Sequence, residues 1–388
     1  MNILVLSDRD LHETEAGGSR TIIMVNNYLA EQDGITVFSS YRHLSGANKK
    51  IIEIPITDKF NKEEINKIIN GNNINILLIP EGDKYARLGR QAVNKTNCKV
   101  ITGFHTKPGH ETHCLWYDAF NTLFMSGITL KRRLRAFIKL IFFPVLGLFI
   151  KFKNLERFQR AYYDADRLVV LARSYIKEYK KQYFLKDDHK IAAIENALSF
   201  KNEITDEDFI KKEKRILVVS RLEERNKRLS IVLKLWKKIQ NLYPDWNLDI
   251  VGSGIDEHYY KNFAFKHKLK NIVFYGRVDP QNYYTRASIL LLTSVYEGWP
   301  MVLTESMQKG CVPVCMDNFS SVHDIINNNN DGFIVPDNTN KLMEKTVFLM
   351  NNPEIRKKMA YSGLISCKRF SMDNIGPKWI ALFNQILS

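Results

Sequence analysis

The sequence predicts an α/β protein built as two doubly wound domains, each a parallel sheet covered by helices, facing one another across a ligand cleft. Three observations lead there. The chain has 388 residues, more than one hydrophobic core usually serves, since chains tend to split beyond about 250–300 residues. Short apolar runs alternate with helical stretches from start to finish, the pattern of parallel sheets. The alternation also restarts after the polar stretch FKNEITDEDFIKKEK at 200–214. Composition agrees: 45% hydrophobic and 26% charged residues, with 19 Gly and 11 Pro, exclude collagenous, low-complexity and disordered chains.

In the first series, MNILVLS reads as a strand and about Ser19 to Glu31 as a helix. ITVFSS, INILLIP, CKVITGF and RLVVLA follow as strands. In the second, RILVVSR, WNLDIVGSG, NIVFYGRV, ILLLTS and CVPVCMD are strands, and SIVLKLWKKIQNLY has the apolar spacing of an amphipathic helix. The expected domains are 1–199 and 200–371, followed by a C-terminal helix at 372–388 with Trp379, Leu382, Phe383 and Ile386 at helical spacing. Ligands of such sheets bind beyond the carboxyl ends of the strands. The opening strand carries no export signal, and five scattered cysteines with no CxxC pair suggest neither a disulfide framework nor a zinc site. A cytoplasmic protein is expected.

The net charge of +15 is unevenly spread: residues 121–160 hold nine Lys or Arg against one acidic residue. Lys131, Arg132, Arg133 and Arg135 lead into an apolar run, Leu140 to Ile150, and Lys151 and Lys153 follow it. A spanning helix needs roughly 20 apolar residues, and Pro144 and Gly147 interrupt this run. Segment 127–153 is therefore expected to lie in the interface of an anionic membrane. A buried helix with charged ends is the alternative. No nucleic-acid-binding motif accompanies the basic cluster, so nucleic acid is not an expected partner.

The window SVYEGWPMVLTESMQKG, 294–310, carries the most chemistry. Glu297 precedes a turn, Gly298-Trp299-Pro300, and beyond Met301 the stretch VLTESMQKG, from Val302, reads as a helix that includes Glu305 and ends at Gly310. Two carboxylates and the backbone N–H groups of a helix start then share a strand's carboxyl end, an arrangement suited to a nucleotide sugar.

With these residues in place, the chain resembles the family 4 glycosyltransferases, retaining enzymes of GT-B architecture. Glu297 through Glu305 match the family's E-x7-E element, VVSRLEERNKR its strand-then-Arg-and-Lys element, VGSG its glycine turn, and DGFIVP a further segment. The resemblance implies that Arg221 and Lys227 hold the donor diphosphate, that Glu297 contacts the donor sugar and that Glu305 contacts the ribose. It places Gly252 and Val278 at the donor as well, together with the pair Gly17 and Gly18 in the loop ETEAGGSRT. His105, at the end of CKVITGFH, matches the first-domain histidine beside the donor sugar, with His110 as second choice. Arg228 stands where the family often has glycine, and Asn196-Ala197 where it has Asn-Gly. The C-terminal helix is implied to cross back to the first domain.

No metal or other cofactor is expected. The pairs Asp8/Asp10, Asp164/Asp166 and Asp206/Asp208 lie away from the expected donor residues, and HETH is one residue short of the HExxH zinc motif. The implied activity is retaining transfer of a hexose or N-acetylhexosamine, from a UDP-sugar first of all, to a lipid-linked saccharide acceptor during assembly of O antigen or capsule. The implied location is the inner face of the cell membrane. A soluble GT-B transferase or synthase acting on a small acceptor, and a non-catalytic GT-B scaffold, are the alternatives.

Overall fold

A computed structural model describes residues 1–8, 17–40, 49–54, 60–110, 119–120, 122–123, 129–200 and 204–388. Asp10, His113 and the start of segment 127–153 lie outside them. The chain forms two compact units: residues 1–112, 141–197 and 370–388 make the first, and 113–140 and 198–369 the second. The described residues from 119 to 140 thus group with the second unit, where the sequence assigns them to the first.

In order, the first unit contains β1 (Asn2–Leu6), α1 (Gly17–Ala30), β2 (Thr36–Ser40), β3 (Ile52–Glu53), α2 (Lys62–Gly71), β4 (Ile76–Ile79), α3 (Gly82–Ala92) and β5 (Lys99–Phe104). Next come α4 (Leu130–Ile141), most of which groups with the second unit, then α5 (Phe143–Tyr163), β6 (Arg167–Val170), α6 (Ser174–Gln182) and β7 (Ile191–Ala193). The sheet order is β3-β2-β1-β4-β5-β6-β7, parallel throughout. Every residue of ILLI in β4 is buried, because helices cover both faces of a parallel sheet.

The second unit continues with α7 (Asp206–Ile210), β8 (Glu213–Val219), α8 (Glu224–Lys227), α9 (Leu229–Ile239), β9 (Asn247–Val251), α10 (Glu257–Lys266), β10 (Ile272–Gly276), α11 (Gln281–Arg286) and β11 (Ala287–Leu292). It closes with α12 (Met301–Gln308), β12 (Val312–Met316), α13 (Ser321–Ile325), β13 (Phe333–Val335), α14 (Thr339–Asn351) and α15 (Pro353–Cys367). Its order, β10-β9-β8-β11-β12-β13, repeats the doubly wound order and reverses direction between β8 and β11, the point at which such sheets bind ligands. The amphipathic stretch read at 230–243 is α9, which buries Val232, Leu233, Leu235, Trp236 and Ile239.

The last helix, α16 (Met372–Leu387), belongs to the first unit and lies close against α1, so that a Cβ on its Gly376 would stand 2.2 Å from the Tyr28 ring. Lys378 of α16 pairs with Glu195 at 2.6 Å. Asn196 is buried, and neither it nor Ala197 is among the positive-φ residues. The loss of glycine there carries no backbone cost, because the chain does not enter the left-handed region.

Segment 129–153 is not core. On α4, Leu130, Leu134, Phe137, Ile138 and Ile141 are exposed at helical spacing, with Lys131, Arg132, Arg135 and Lys139 between them. The first half of α5 exposes Val145, Leu148, Phe149 and Phe152. Among the described residues, no helix is long and apolar enough to cross a membrane.

Candidate functional site

In the second unit the site is built at the sheet's reversal. After β8 the chain turns through Ser220 and Arg221 into the single turn α8, and after β11 it runs through Thr293 and Ser294 to Glu297. These neighbouring strands bring Lys227 and Glu297 together: the Lys227 ammonium donates to Glu297 Oε1, and each side chain is 15% exposed.

Backbone and amide contacts set that meeting. Asn226, itself buried, accepts from Val295 N through its backbone oxygen at 2.8 Å and from Tyr296 N through Oδ1 at 3.2 Å. Thr293 Oγ1 donates to the carbonyl of Lys227 at 2.6 Å. Asn226 has no distinguishing signal in the sequence, since its role depends on β8 and β11 being neighbours. Glu224 anchors the other end of α8, accepting from Ser230 Oγ at 2.6 Å and Tyr260 Oη at 3.0 Å, while burial raises its carboxyl pKa.

Arg228 does not point to solvent. It is buried, with Nε donating to Thr293 O at 2.7 Å, Nη1 to Asp337 Oδ2 at 2.9 Å and Nη2 contacting Met316 Sδ at 3.4 Å. Its backbone is left-handed, φ 49° and ψ 44°, the conformation that glycine takes without steric cost. A side chain is retained there because it ties α8 to the ends of β11, β12 and β13.

Gly252 holds the floor of the site. At φ 131°, it approaches β8 so closely that a Cβ would lie 1.8 Å from the Ser220 carbonyl oxygen. Its place in the fold is thus a backbone contact that only glycine permits. Around the same sheet end, Ser220 Oγ, Ser294 Oγ and Ser320 Oγ are buried without hydrogen-bond partners among the described residues. Buried hydroxyls are ordinarily satisfied, so three at one sheet end mark a place for a polar ligand or ordered water.

The remaining expected residues are distributed around this pair. Arg221 is 68% exposed and 3.5 Å from Glu223, so it does not join Lys227 and Glu297. Gly298 and Pro300 lie in the turn before α12, Trp299 and Met301 are buried, and Val302 is half-buried. Glu305 is buried inside α12, accepting from Ser199 Oγ at 2.7 Å and Tyr284 Oη at 2.8 Å; its carboxylate is engaged on both oxygens. Val278 is exposed in the loop after β10.

In the first unit, Gly17 and Gly18 form the start of α1 rather than a loop. His105 follows β5 and, with Pro80, Asn196 and Trp379, lines a small cavity of about 30 Å³ within that unit. His110 is packed against Phe158, its Nδ1 3.1 Å from Lys107 O, and burial lowers its pKa.

Comparison with known proteins agrees with this architecture. Over 156 residues the chain is 33% identical to an uncharacterized glycosyltransferase of Haemophilus influenzae, covering 39% of this chain and 44% of that protein. It is 26% identical to the GalNAc-alpha-(1->4)-GalNAc-alpha-(1->3)-diNAcBac-PP-undecaprenol alpha-1,4-N-acetyl-D-galactosaminyltransferase of Campylobacter jejuni, over 60% of this chain and 64% of that one. The matched region thus spans less than two thirds of either relative. The crystal structure of Anabaena HepE in complex with UDP superposes with a TM-score of 0.73 at 14% identity, covering 99% of this chain and 100% of that one. The fold is therefore that of the GT-B glycosyltransferases, and residues 199–364, which hold Lys227, Glu297 and Glu305, match the family described as Glycosyl transferases group 1.

Proposed function

We propose that the protein is a retaining, metal-independent glycosyltransferase of family 4. It moves a hexose or N-acetylhexosamine from a UDP-sugar to a lipid-linked saccharide in assembly of a cell-surface polysaccharide such as O antigen or capsule. The observation that carries this reading is the Lys227–Glu297 pair at the reversal of the second sheet. A departing nucleoside diphosphate gains negative charge, and a lysine held in a partly dehydrated site stabilises that charge more than one in water. Glu297 accepts sugar hydroxyls and keeps the Lys227 ammonium in place before the donor arrives. Arg221, on its exposed loop, reaches the diphosphate only when the donor is present. Glu305 meets the ribose by exchanging one of its internal donors. Gly252, Val278 and the residues from Gly298 to Val302 line the donor.

The first unit supplies the acceptor side, and from it Gly17 and Gly18, at the start of α1, meet the donor phosphates and His105 the donor sugar. Sequence similarity to the Campylobacter enzyme, whose name specifies an undecaprenyl-diphosphate-linked substrate, supports a lipid-linked acceptor. The exposed apolar residues of α4 and α5 support peripheral contact with the inner face of the membrane.

The test is transfer from a panel of UDP-, GDP- and ADP-sugars to a lipid-linked acceptor extract, with and without EDTA, and with the anomeric configuration of the product read by NMR. Turnover of a UDP-sugar in EDTA with retained configuration supports the proposal. Folded protein that binds a donor but transfers nothing contradicts it.

A further inference from the structure

The first unit carries a cavity of about 380 Å³ between α3 and α5, lined by Gly82, Asp83, Lys84, Ala86, Arg87, Arg157 and Arg160. Four of the seven are cations and one is an acid. Three of the four cations pair with acids: Arg157 with Asp83, Arg160 with Glu156, and Lys84 with Asp8 at 3.1 Å. The cations themselves are open to water, and ion pairs open to water are weak, so an incoming anion can exchange for them. Arg87 has no hydrogen-bond or ion-pair partner among the described residues and is exposed at the cavity wall.

The position of this cavity on α5 gives the anion a source. Val145, Phe149 and Phe152, all exposed, recur at helical spacing along one face of α5, and the same face continues to Glu156 and Arg160. At 1.5 Å per residue, Phe152 and Arg160 are about 12 Å apart along the axis. That is on the scale of the step from a bilayer's acyl boundary, where interfacial helices bury their apolar face about 5–10 Å deep, to its headgroups. Arginine is suited to this place because its planar fork binds phosphate oxygens in pairs.

We propose that the cavity between α3 and α5 binds the phosphate group of a membrane lipid, with Arg87 and Arg160 as its principal ligands and the apolar face of α5 in the adjoining bilayer. This rests on the reading of α5 as a membrane contact. It adds a defined headgroup site to what would otherwise be diffuse attraction to negative charge.

Sedimentation with vesicles tests it, using the full chain and three compositions: neutral phosphatidylcholine, and phosphatidylcholine mixed with phosphatidic acid or with phosphatidylglycerol at matched surface charge. The wild type is expected to favour phosphatidic acid, whose phosphomonoester is the more accessible. The Arg87→Gln/Arg160→Gln variant, with unchanged melting temperature, is expected to lose about tenfold on those vesicles and to fall to the phosphatidylglycerol level. Phe149→Ser/Phe152→Ser should weaken binding to both anionic compositions. A double arginine variant that binds phosphatidic acid vesicles as the wild type does overturns the site while leaving the membrane contact standing. A wild type that binds no vesicle overturns both. Inorganic pyrophosphate provides the last arm: if it raises the melting temperature of the wild type but not of the arginine variant, while vesicle binding is the same for both, the site takes a soluble phosphate and the lipid assignment falls.

Discussion

Lys227 and Glu297, 70 residues apart in sequence, form an ion pair across the point where the second sheet reverses its strand order. The pair is mostly withdrawn from water, so removing one partner leaves the other charge poorly solvated. Lys227→Met is expected to lower stability by about 1–3 kcal/mol and kcat/KM by about 100-fold or more. The double variant Lys227→Met/Glu297→Gln should recover most of the stability and none of the activity. Urea denaturation and donor turnover, measured on the same three proteins, check both halves.

Arg228 separates backbone preference from side-chain bonding. Arg228→Gly relieves a left-handed residue, worth about 1 kcal/mol, but abandons hydrogen bonds to Thr293 and Asp337. Arg228→Ala loses the bonds without the relief. Stability should therefore fall in the order wild type, Arg228→Gly, Arg228→Ala, with about 1 kcal/mol between the two variants. An alanine variant at least as stable as the glycine one contradicts the left-handed assignment.

Gly252 allows no side chain. With a Cβ placed 1.8 Å from the Ser220 carbonyl oxygen, Gly252→Ala must push β9 away from β8 or fail to fold, a cost of about 3 kcal/mol or more. Circular dichroism melting of the variant, beside Gly276→Ala as a positive-φ glycine with open space around it, isolates the steric part.

Acid stability has a specific contributor at the base of β8. Arg286 first, then Arg215, hold the Glu213 carboxyl down at about 2, below its ordinary 4.5. The folded state thus binds this proton less readily than the unfolded one, so the contribution is complete above pH 4.5 and is lost as pH falls from 4.5 towards 2. Both side chains are more than a third exposed, which limits the effect to about 1 kcal/mol. Arg286→Gln should shrink the difference in denaturation midpoint between pH 6 and pH 3; an unchanged difference contradicts the assignment.

Much of the architecture was legible because apolar runs in a parallel sheet are buried on both faces: ILLLTS and CVPVCMD read as strands and are strands β11 and β12. The helix α12 was legible from Val302 on, one residue inside its start at Met301, by the turn Gly298-Trp299-Pro300 before it, and its end by Gly310, which does have a positive φ. Features fixed by long-range contact were not legible. Nothing local shows that Asn226 receives the amides of Val295 and Tyr296, or that Arg228 turns inward to Thr293 and Asp337. The segment after Leu130 was ambiguous for another reason: an apolar face at this spacing reads the same whether it is buried in the core or left at the surface, and only the fold shows that it is exposed.

The most direct test of the central claim is calorimetric titration of UDP into the wild type, Lys227→Met and Lys211→Gln, the last a control on an exposed cation just before the amino end of β8, the opposite end of the same sheet. If Lys227 is the cation at the donor diphosphate, its removal weakens UDP binding about tenfold or more, while Lys211→Gln binds as the wild type does. Equal affinity in the wild type and a folded Lys227→Met would show that the ion pair with Glu297 is structural and that the donor binds elsewhere.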